Sequence, residues 1–494
     1  MQDTIDDLAR ADVFAPIERR FNEMHTASRR EPPAGVADRR AALSALRDMV
    51  ATHADEFARA ICEDFGWRSP SETRMAEIVP VLTIITDALK HVETWMAPER
   101  RGRSVLFWPA RNKVYWQPKG VVLIISPWNY PVDLAIAPLA AALAAGNRVI
   151  LKPSEMTPRT SAALKRRLEE TLGADHVTVA TGGPDVAEAL CRLPFDHILF
   201  TGSTGVGRKV MAAAAANLTP VTLELGGKSP AIVHGDYDLA RAVERIVRGK
   251  LLNAGQTCIA PDYVLVPAAR VDAFVAAFER TAAAFYPRLL DNPDYTAIIN
   301  DRHFQRLTGL VADARAKGAR VVCVDPGGEL GDGNPGNAAS RKIAPAVLTG
   351  VTDAMSIMQN EIFGPLLPVV AYDSLDDAIA YVNGRPRPLA LYYFDNDAGR
   401  IEKVLRETVS GGAAINETVL HFAQENLPFG GIGPSGMGAY HGRDGFRTFS
   451  HARGTFLQSQ LTVTSLLTPP YGNTFKTMIA FAIRRASGRL WRGG

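Results

Sequence analysis

The stretch VVLIISP at residues 121–127 decides the fold class, because it is an apolar run rich in β-branched residues that stops at a proline. Such a run is typical of a strand that is buried on both faces of a parallel sheet. Similar runs return at 148–154, 177–182, 197–202 and 221–227, and helix-like stretches separate them. Since parallel strands need helical crossovers, this alternation predicts a parallel α/β sheet with right-handed connections.

The rest of the chain extends this pattern in both directions. Residues 1 to about 95 carry apolar side chains at three- and four-residue spacing, which predicts helices. Downstream, YVLVPAA at 263–269 and ARVVCV at 319–324 predict strands of a second α/β lobe. The Gly/Asn/Asp-rich residues 325–340 predict a surface loop. Two lobes place a ligand crevice at their junction, near the glycine pair at 226–227.

Length, charge and cysteine usage narrow the class of protein. A chain of 494 residues with a net charge of +3 predicts a multi-domain globular protein with no nucleic-acid partner. Its four cysteines have neither metal-ligand nor CxxC spacing, so we predict no metal site and no disulfide framework. The acidic start does not resemble a secretory signal, and the apolar run 134–146 contains Pro138 and is short for a membrane span. These features predict a soluble protein of the reducing cytoplasm.

Cys258 is a candidate nucleophile within GQTCIAPDY at 255–263. A lone cysteine is more often a small buried hydrophobe, and thiolate chemistry needs a base or a local positive potential. Glu224, in LELGGKSP at 223–230, is the candidate base, because a carboxylate in an apolar strand is costly without a function or a partner. The alternative is an ion-paired structural glutamate. The two glycines that follow allow a sharp turn and a close approach of a ligand.

These two motifs, in this order and at this spacing, resemble the aldehyde dehydrogenase superfamily. Five further motifs in matching order extend the resemblance from Ser126 to Phe446, which is most of the chain. The resemblance implies an enzyme that oxidises an aldehyde to a carboxylate through a thiohemiacetal and a thioester on Cys258. It implies Glu224 as the general base and NAD or NADP as the hydride acceptor. It also implies two Rossmann-like α/β lobes, a cofactor domain and a catalytic domain, with a small β oligomerisation arm.

SPWNYP at 126–131 resembles the family segment whose asparagine donates to the substrate oxygen, which assigns that role to Asn129. Attack of a thiolate on a carbonyl produces an alkoxide, and an aimed amide N–H stabilises it. The backbone N–H of Cys258 is the expected second donor. The neighbours Trp128 and Tyr130 are expected at the cofactor and in the substrate pocket, respectively. An asparagine in an ordinary turn is the alternative.

Two further motifs are expected to hold the adenosine half of the cofactor. KPSE resembles the family segment in which Lys152 and Glu155 face the adenosine ribose. GSTGVG lies between a strand and a helix, so its backbone N–H groups can meet a phosphate at the helix N-terminus. The resemblance places Gly202, Ser203 and Gly207 at the pyrophosphate, although the spacing differs from the common GxGxxG fingerprint. Glu155 favours a free ribose hydroxyl and Lys152 a phosphate, so NAD and NADP are both open.

The nicotinamide half is assigned by resemblance to EIFGP, where Glu361 holds the ribose and Phe363 packs on the ring. NLPFGGIGPSGMG at 426–438 resembles the family's glycine-rich segment, and its Phe429 is expected to form a wall of the substrate pocket. HILFTGSTGVG, AGQTCIAPDY and residues 435–451 resemble the class 3 branch, which includes coniferyl-aldehyde enzymes. That branch implies a homodimer that acts on aromatic or on medium- and long-chain aliphatic aldehydes.

The resemblance also sets the expected domain boundaries. The dinucleotide-binding domain is predicted at 1–98 and 118–225, the catalytic domain at 226–440, the oligomerisation arm at 99–117 and 441–460, and a basic tail at 461–494. In the tail, one helical face and the residues beyond it carry Phe475, Met478, Ile479, Ala482, Arg484, Arg485, Arg489 and Arg492. Weak contact with a membrane surface is one interpretation, and packing on the chain's own body or a partner subunit is the other.

Three other functions use the same residues. A thiol-dependent esterase or hydrolase needs no dinucleotide and leaves the cofactor motifs unexplained. A CoA-acylating or phosphorylating dehydrogenase uses the same cysteine, but Glu224 favours water as the acceptor. A non-catalytic binding protein on this fold is not expected, because the cysteine, the base and the asparagine are all present.

Overall fold

The computed structural model describes residues 2–103, 107–331, 334–460 and 468–488. Within these ranges, two sheets of mainly parallel strands, each packed against helices, form the body of the protein. The prediction of an α/β fold with two Rossmann-like lobes is confirmed.

The first sheet has six strands in the described ranges. Its order is Gly436–Met437, Val221–Leu225, His197–Gly202, Val121–Ile125, Arg148–Lys152 and Val177–Val179. These pairs are parallel except the first. The strand order reverses beside Val121–Ile125. The loops after this strand and after His197–Gly202 therefore meet at the carboxyl edge of the sheet, where ligands of such folds bind.

Helices cover both faces of the first sheet, because its strands send alternate side chains to opposite sides. Val122 and Ile124 pack with one group of helices, whereas Val121 and Leu123 pack with the other. The first group is Val36–Thr52, Ala54–Phe65, Val79–Met96, Asp133–Ala145 and Pro158–Leu172. The second group is Gln2–Arg30, Pro184–Cys191 and Thr204–Ala215. Every residue of Asp133–Ala145 is buried, which explains its almost uniformly apolar sequence.

The second sheet has seven described strands. Their order is Arg320–Cys323, Ala346–Thr349, Leu366–Tyr372, Tyr263–Pro267, Pro230–Val233, Ala390–Phe394 and Gly412–Ile415. The helices of this half are Leu239–Leu251, Val271–Phe285, Asp301–Ala316, Ser356–Gln359, Leu375–Asn383 and Ala398–Glu407. The sequence does not predict Pro230–Val233, because this strand has only four residues and begins with a proline.

A small antiparallel sheet is built from Glu99–Arg101, Arg111–Pro118 and Ser450–Leu457. The last strand pairs along its whole length with the second, and most of its residues are exposed. The preceding helix Gly442–Thr448 packs against the body, where the ring of Phe446 lies 5.8 Å from that of Trp95. Of the predicted arm segment 441–460, only the strand Ser450–Leu457 therefore belongs to the small antiparallel sheet.

The carboxyl-terminal helix Asn473–Ala486 has no buried residue. Residues 461–467 and 489–494, which include Arg489 and Arg492, lie outside the described residues. In the part of the chain that the structure describes, no helix is long and apolar enough to cross a membrane. The remaining short elements are the helix Pro70–Thr73, the π-helical turn Arg74–Ile78, the 3₁₀ turns Leu252–Gly255 and Ala268–Arg270, and the paired strands Gly336–Asn337 and Lys342–Ile343.

Candidate active site

Cys258 follows a tight turn at the carboxyl end of a helix. Asn253, Ala254 and Gly255 in this turn have positive φ angles of 53°, 50° and 75°. A non-glycine residue held in this region costs about 1–3 kcal/mol, so the surrounding contacts must impose the turn. At Gly255 a side chain does not fit, because a Cβ would lie 2.2 Å from the carbonyl oxygen of Gly364. Cys258, the predicted nucleophile, thus follows a strained and closely packed turn.

Asn129 lies beside this loop. Its Nδ2 donates to the carbonyl oxygen of Gln256 at 3.1 Å, and the side-chain amide of Asn253 donates to the Asn129 carbonyl oxygen at 2.9 Å. The hydroxyl of the adjacent Tyr130 is 2.6 Å from Oγ1 of Thr257. The structure therefore brings the predicted amide donor and the predicted pocket tyrosine to the two residues that precede the cysteine.

Glu224 is buried in the strand Val221–Leu225, with 2% of its surface exposed. Its register partners are Thr201 on one side and Gly436 on the other. Neither carboxyl oxygen has a hydrogen-bond partner among the residues described. Uncompensated burial holds the pKa of this carboxyl well above its usual range. The ion-paired structural alternative is therefore not what the structure contains.

The thiol of Cys258 lies within electrostatic range of two acidic groups. Burial raises its pKa to about 12, and the charges of Glu361 and then Glu224 act in the same direction. A thiolate beside carboxylates is disfavoured by repulsion, so the thiol stays protonated until a base accepts its proton. This arrangement makes a neighbouring base a requirement for nucleophilic attack.

Glu361 occupies the space next to the paired glycines. A Cβ on Gly226 would lie 2.1 Å from Oε2 of Glu361, and the backbone N–H of Gly227 donates to the same carboxyl group. Burial and then the charge of Asp262 raise the pKa of Glu361 to about 8. Its Oε1 has no partner in the described chain. The sequence predicts that a ligand approaches the backbone at the glycine pair. In the structure the Glu361 carboxyl group occupies this space, and its Oε1 is available to a ligand.

Phe363 has a positive φ of 51°, and its ring lies 5.4 Å from that of Trp128 in an edge-on arrangement. Phe363, predicted at the nicotinamide ring, and Trp128, predicted at the cofactor, are therefore neighbours. Arg306 supports this segment by donating to the carbonyl oxygens of Glu361 at 3.2 Å and Ile362 at 2.6 Å. Sequence reasoning missed Arg306, because an arginine on a helix usually marks a solvated face.

The predicted adenosine residues also come together. Lys152 is buried, and its ammonium group pairs with the carboxylate of Glu155 at 3.0 Å. A lysine that is already paired with a carboxylate attracts an additional phosphate less strongly than a free one, yet each group keeps hydrogen-bonding capacity for a ribose. These side chains fit the sugar of a dinucleotide.

The helix Thr204–Ala215 begins where a phosphate is expected. Gly202 ends the preceding strand, and Ser203 precedes the helix without a side-chain hydrogen bond that caps it. The first N–H groups of a helix need acceptors, and an anion can supply them. At Gly207 a Cβ would lie 2.6 Å from Cδ2 of Leu225, so the glycine allows the helix to pack on the sheet. The local structure fits a pyrophosphate.

An aromatic cluster reaches the cysteine from the glycine-rich segment. Phe429 stacks on the ring of His441 at 5.4 Å and meets the ring of Tyr440 edge-on at 5.9 Å. Tyr440 is 1% exposed, and burial, followed by the charges of Glu224, Asp133 and Cys258, holds its pKa well above the usual range. Sequence reasoning named Phe429 and missed Tyr440. The only local signal is the position of Tyr440 in GAYHG, part of the segment 435–451 that resembles the class 3 branch. That resemblance does not assign Tyr440 to the site.

This combination defines a class of enzyme. A protonated thiol, a buried amide donor and two carboxyl groups with unused oxygens lie at the carboxyl edge of a dinucleotide-type sheet. A thiol with a neighbouring carboxyl group and an amide donor is the group set expected for nucleophilic attack on a carbonyl carbon. The family model described as the aldehyde dehydrogenase family matches residues 4–454, and the chain belongs to that family.

Individual relatives agree with this assignment. A coniferyl aldehyde dehydrogenase of a Pseudomonas species is 46% identical over 462 residues, which cover 93% of this chain and 95% of the relative. The substrate-bound AldH of Staphylococcus aureus superposes with a TM-score of 0.88 and 39% identity, over 94% of this chain and 99% of the other. The NAD+ complex of a Mycobacterium tuberculosis aldehyde dehydrogenase superposes with a TM-score of 0.80 and 31% identity, over 90% of both chains. The predicted enzyme class, aldehyde oxidation with NAD or NADP, is confirmed.

Proposed function

We propose that Cys258, Glu224 and Asn129 carry out the aldehyde oxidation, with an aromatic aldehyde of the coniferyl type as the substrate. The observation that supports the catalytic roles is the Glu224 carboxyl group, which is buried near the thiol and has no partner in the described part of the chain. A buried carboxyl group without a partner is costly to keep. Catalysis accounts for it, since this group receives the thiol proton and later activates water.

The resting state favours neutral groups. Burial raises the pKa of the Glu224 carboxyl group and of the Cys258 thiol, which favours the protonated form of both groups. Entry of water and substrate gives the carboxyl group hydrogen bonds, which lower its pKa toward the usual range. Glu224 then accepts the thiol proton, directly or through a water molecule.

The thiolate attacks the aldehyde carbon, and the carbonyl oxygen becomes an alkoxide. One N–H of the Asn129 side chain is used by the Gln256 carbonyl oxygen, and the second is available for this alkoxide. The backbone N–H of Cys258 is the second donor. A preorganised donor of this kind is worth ~10²–10³ in rate.

A nicotinamide dinucleotide bound here would supply the acceptor for the hydride that leaves the adduct, and a thioester would remain on Cys258. Glu361 with its free oxygen and Phe363 beside Trp128 would hold the nicotinamide end. The side chains of Lys152 and Glu155 would bind the adenosine end. The helix start at Gly202, Ser203 and Gly207 would bind the pyrophosphate. Glu224 deprotonates the water that hydrolyses the thioester.

The substrate class is proposed from the pocket wall and from the named relative. Phe429, Tyr440 and His441 form the aromatic cluster near the cysteine, and Tyr130 contributes a further ring. Aromatic side chains favour offset or edge-on packing with a flat ring. A long aliphatic chain gains apolar contact with these walls but not this ring packing, so we rank aromatic aldehydes above medium- and long-chain ones.

The test is the near-ultraviolet absorbance of the reduced cofactor. Coniferyl aldehyde and a long-chain aliphatic aldehyde are each assayed with NAD and with NADP, beside Cys258→Ser as the control. We expect a signal that requires the cysteine and a higher kcat/KM for the aromatic aldehyde. Folded wild type that gives no signal with any pair, but cleaves an aryl ester, would overturn the proposal in favour of the esterase. A higher kcat/KM for the aliphatic aldehyde would contradict the substrate ranking alone.

We propose a homodimer with the small antiparallel sheet as its arm. The support is the exposed strand Ser450–Leu457, in which Phe456 has 52% of its surface exposed. An edge strand with an apolar side chain is a site for pairing with another chain. Light scattering should give twice the mass of the chain, and Phe456→Asp should shift the population toward the monomer. A monomeric wild type would contradict this assembly.

We also propose a cytoplasmic location and a weak contact of the tail with anionic membranes. The described cysteines are free, as expected in a reducing compartment. Residues 461–494 contain no acidic residue, whereas Lys476, Arg484 and Arg485 are among five basic ones. The tail helix exposes Phe481 and Ile483, so exposed apolar and basic side chains lie on the same helix.

Vesicle co-sedimentation tests the tail. The full chain should bind vesicles that contain phosphatidylserine and should not bind phosphatidylcholine alone, and a chain that ends at Gln460 should bind neither. Phe481→Ser with Ile483→Ser should weaken binding, because these changes remove apolar contact and leave the charge unchanged. Equal binding by the full and the shortened chains would indicate that the tail packs on protein instead.

A further inference from the structure

A buried cluster of charges lies next to the loop that carries Asn129. This loop joins the strand Val121–Ile125 to the helix Asp133–Ala145, and we call it the asparagine loop. It consists of Arg68, Glu72 and Glu77, with 0%, 8% and 0% of their side chains exposed, and we call it the Arg68 brace. Burying three charged groups costs free energy that a well-packed apolar cluster would not. Such a cluster is therefore better explained by the geometry that it imposes than by the stability that it adds.

The brace grips the asparagine loop directly. Nη1 of Arg68 donates to Oε1 of Glu77 at 2.7 Å and to the carbonyl oxygen of Asn129 at 3.1 Å. The guanidinium carbon lies 4.9 Å from the ring centroid of Tyr130. The second oxygen of Glu77 accepts the backbone N–H of Val132 at 2.8 Å. The loop is thus held at three neighbouring residues.

The brace also contacts the turn Leu252–Gly255 that precedes Cys258, which we call the cysteine loop. Nε of Arg68 donates to Oε1 of Glu72 at 3.3 Å, and Oε2 of Glu72 accepts the backbone N–H of Asn253 at 3.0 Å. Asn253 in turn donates from its side chain to the Asn129 carbonyl oxygen at 2.9 Å. These bonds close a ring that joins the two loops. The Asn129 carbonyl oxygen, with two donors, has its peptide plane fixed from both sides.

A π-helical turn makes this arrangement possible. Glu72 and Glu77 are five positions apart, and on a regular α-helix residues at that spacing point about 140° apart. The π turn Arg74–Ile78 closes hydrogen bonds between residues five apart, which turns both carboxylates toward one arginine. Such turns are frequent at functional sites.

We propose that Arg68 is a positioning residue for the oxyanion site. Through the Asn129 carbonyl oxygen and through Glu72, it sets the direction of the Asn129 side chain relative to the loop of Cys258. This inference rests on the proposed role of Asn129 as the alkoxide donor. A donor that is misplaced by about 1 Å can lose ~10² in rate, so the brace has a large kinetic effect without touching the substrate.

A double-mutant cycle tests the proposal. Arg68→Lys keeps the charge but cannot reach Glu72, Glu77 and Asn129 together, because an ammonium lacks the planar fork. We expect kcat to fall about tenfold to a hundredfold, with little change in the dissociation constant for NAD. Asn129→Ala should remove ~10²–10³ on its own. In the Asn129→Ala background, Arg68→Lys should cost less than about threefold, because the donor that it positions is already absent.

Arg39→Lys is the matched control. Arg39 is also a buried arginine, and it donates to the Ala144 carbonyl oxygen at the other end of Asp133–Ala145, away from the asparagine loop. It should leave kcat within about twofold of wild type. Equal losses from Arg68→Lys in both backgrounds, or the same loss from Arg39→Lys, would show a general structural effect and overturn the proposal.

A second variant covers the case in which Arg68→Lys fails to fold. Asn253→Gly keeps the positive φ and deletes the amide that donates to Asn129, so it should lower kcat in the same non-additive way. No loss from this variant in a folded enzyme would contradict the closed ring. If Asn129→Ala itself leaves kcat unchanged, the proposed function of Asn129 fails rather than the brace, and the two failures are distinguished.

Discussion

The proposed catalytic crevice, formed around Cys258 and Glu224, and the Arg68 brace both contain buried carboxyl groups, but the hydrogen bonding of these groups differs. In the crevice, both oxygens of Glu224 lack a partner among the described residues. In the brace, one oxygen of Glu77 accepts from Arg68 and the other accepts two backbone N–H groups. The unsatisfied carboxyl is free to exchange a proton, whereas the satisfied one is locked in place.

The same contrast appears in the electrostatics. Burial raises the pKa of both carboxyl groups, but at Glu77 the charge of Arg68 and the backbone N–H groups oppose this effect. At Glu224 no charge or hydrogen bond from the described residues opposes the effect of burial on the pKa. The supply of partners, rather than the depth of burial, therefore distinguishes the proposed base Glu224 from Glu77.

The largest expected effect is the loss of the nucleophile. Cys258→Ala should lower kcat by ~10⁴-fold or more, since removal of a nucleophile abolishes the covalent route. The matched control is Cys191→Ala, because Cys191 is a buried cysteine in the opposite core cluster and should be kinetically silent. Formation of reduced cofactor measures both variants. Activity of Cys258→Ala within tenfold of wild type would refute the assignment.

Removal of the base is the next effect. Glu224→Gln should lower kcat by ~10²–10⁴-fold, the usual contribution of general acid–base catalysis. Stopped-flow and steady-state formation of the reduced cofactor, at saturating aldehyde, separate the first turnover from later ones. Glu77→Gln is the comparison, and its loss of kcat should be smaller because Glu77 is placed to hold the loop. A larger kinetic loss at Glu77 would remove the distinction between the two regions.

The two substitutions should rank in the reverse order for stability, so that Glu77→Gln lowers the free energy of unfolding more than Glu224→Gln does. Glu77→Gln leaves the buried charge of Arg68 undercompensated and should cost about 3–5 kcal/mol, as when one partner of a buried pair is removed. Glu224→Gln removes a group that has no partner to lose, so it should not destabilise the fold. Thermal unfolding followed by tryptophan fluorescence compares the two. Equal midpoints for both variants would contradict the view that the hydrogen bonds of Glu77 stabilise the brace.

The smallest effect is a pH dependence of stability. The folded-state pKa of Glu224 is raised, so its favourable neutral form is fully present below the unfolded pKa of ~4.3, and stability is lost as pH rises above it. Relative to Glu224→Gln, the wild type should therefore lose up to about 1.4 kcal/mol per pH unit above that value. Unfolding midpoints of both proteins at pH 5 and pH 6 measure the gap. A gap that does not widen between pH 5 and pH 6 would mean that the pKa of Glu224 is not raised in the folded state.

Local motifs were enough to find several site residues. Cys258, Glu224 and Asn129 stand in short segments with distinctive neighbours, and each of them lies at the end of a strand or in a loop that sequence alone can locate. Their approach to one another follows from the parallel topology, which places the ends of parallel strands at one edge.

Other residues gave no local signal. Arg306 and Tyr440 reach the site from distant segments; nothing near Arg306 marks it, and the motif around Tyr440 indicates the branch of the family but not a place in the site. The brace is the clearest case, since Arg68 and Asn129 are 61 residues apart and Glu72 and Asn253 are 181 apart. Arginines and glutamates near a helix start usually indicate a solvated surface, so only their burial reveals their role.

Sequence alone is enough to establish the fold class and the family and to predict the residues that we propose to react, because hydrophobic period and compact motifs are properties of short stretches of chain. The tertiary structure alone decided which buried charges are satisfied and which are not. That property depends on the distances between side chains from separate elements, and it is decided only when the packed interior excludes water. It is why Glu224 and Glu77, indistinguishable as residue types, differ as a proposed base and a proposed brace.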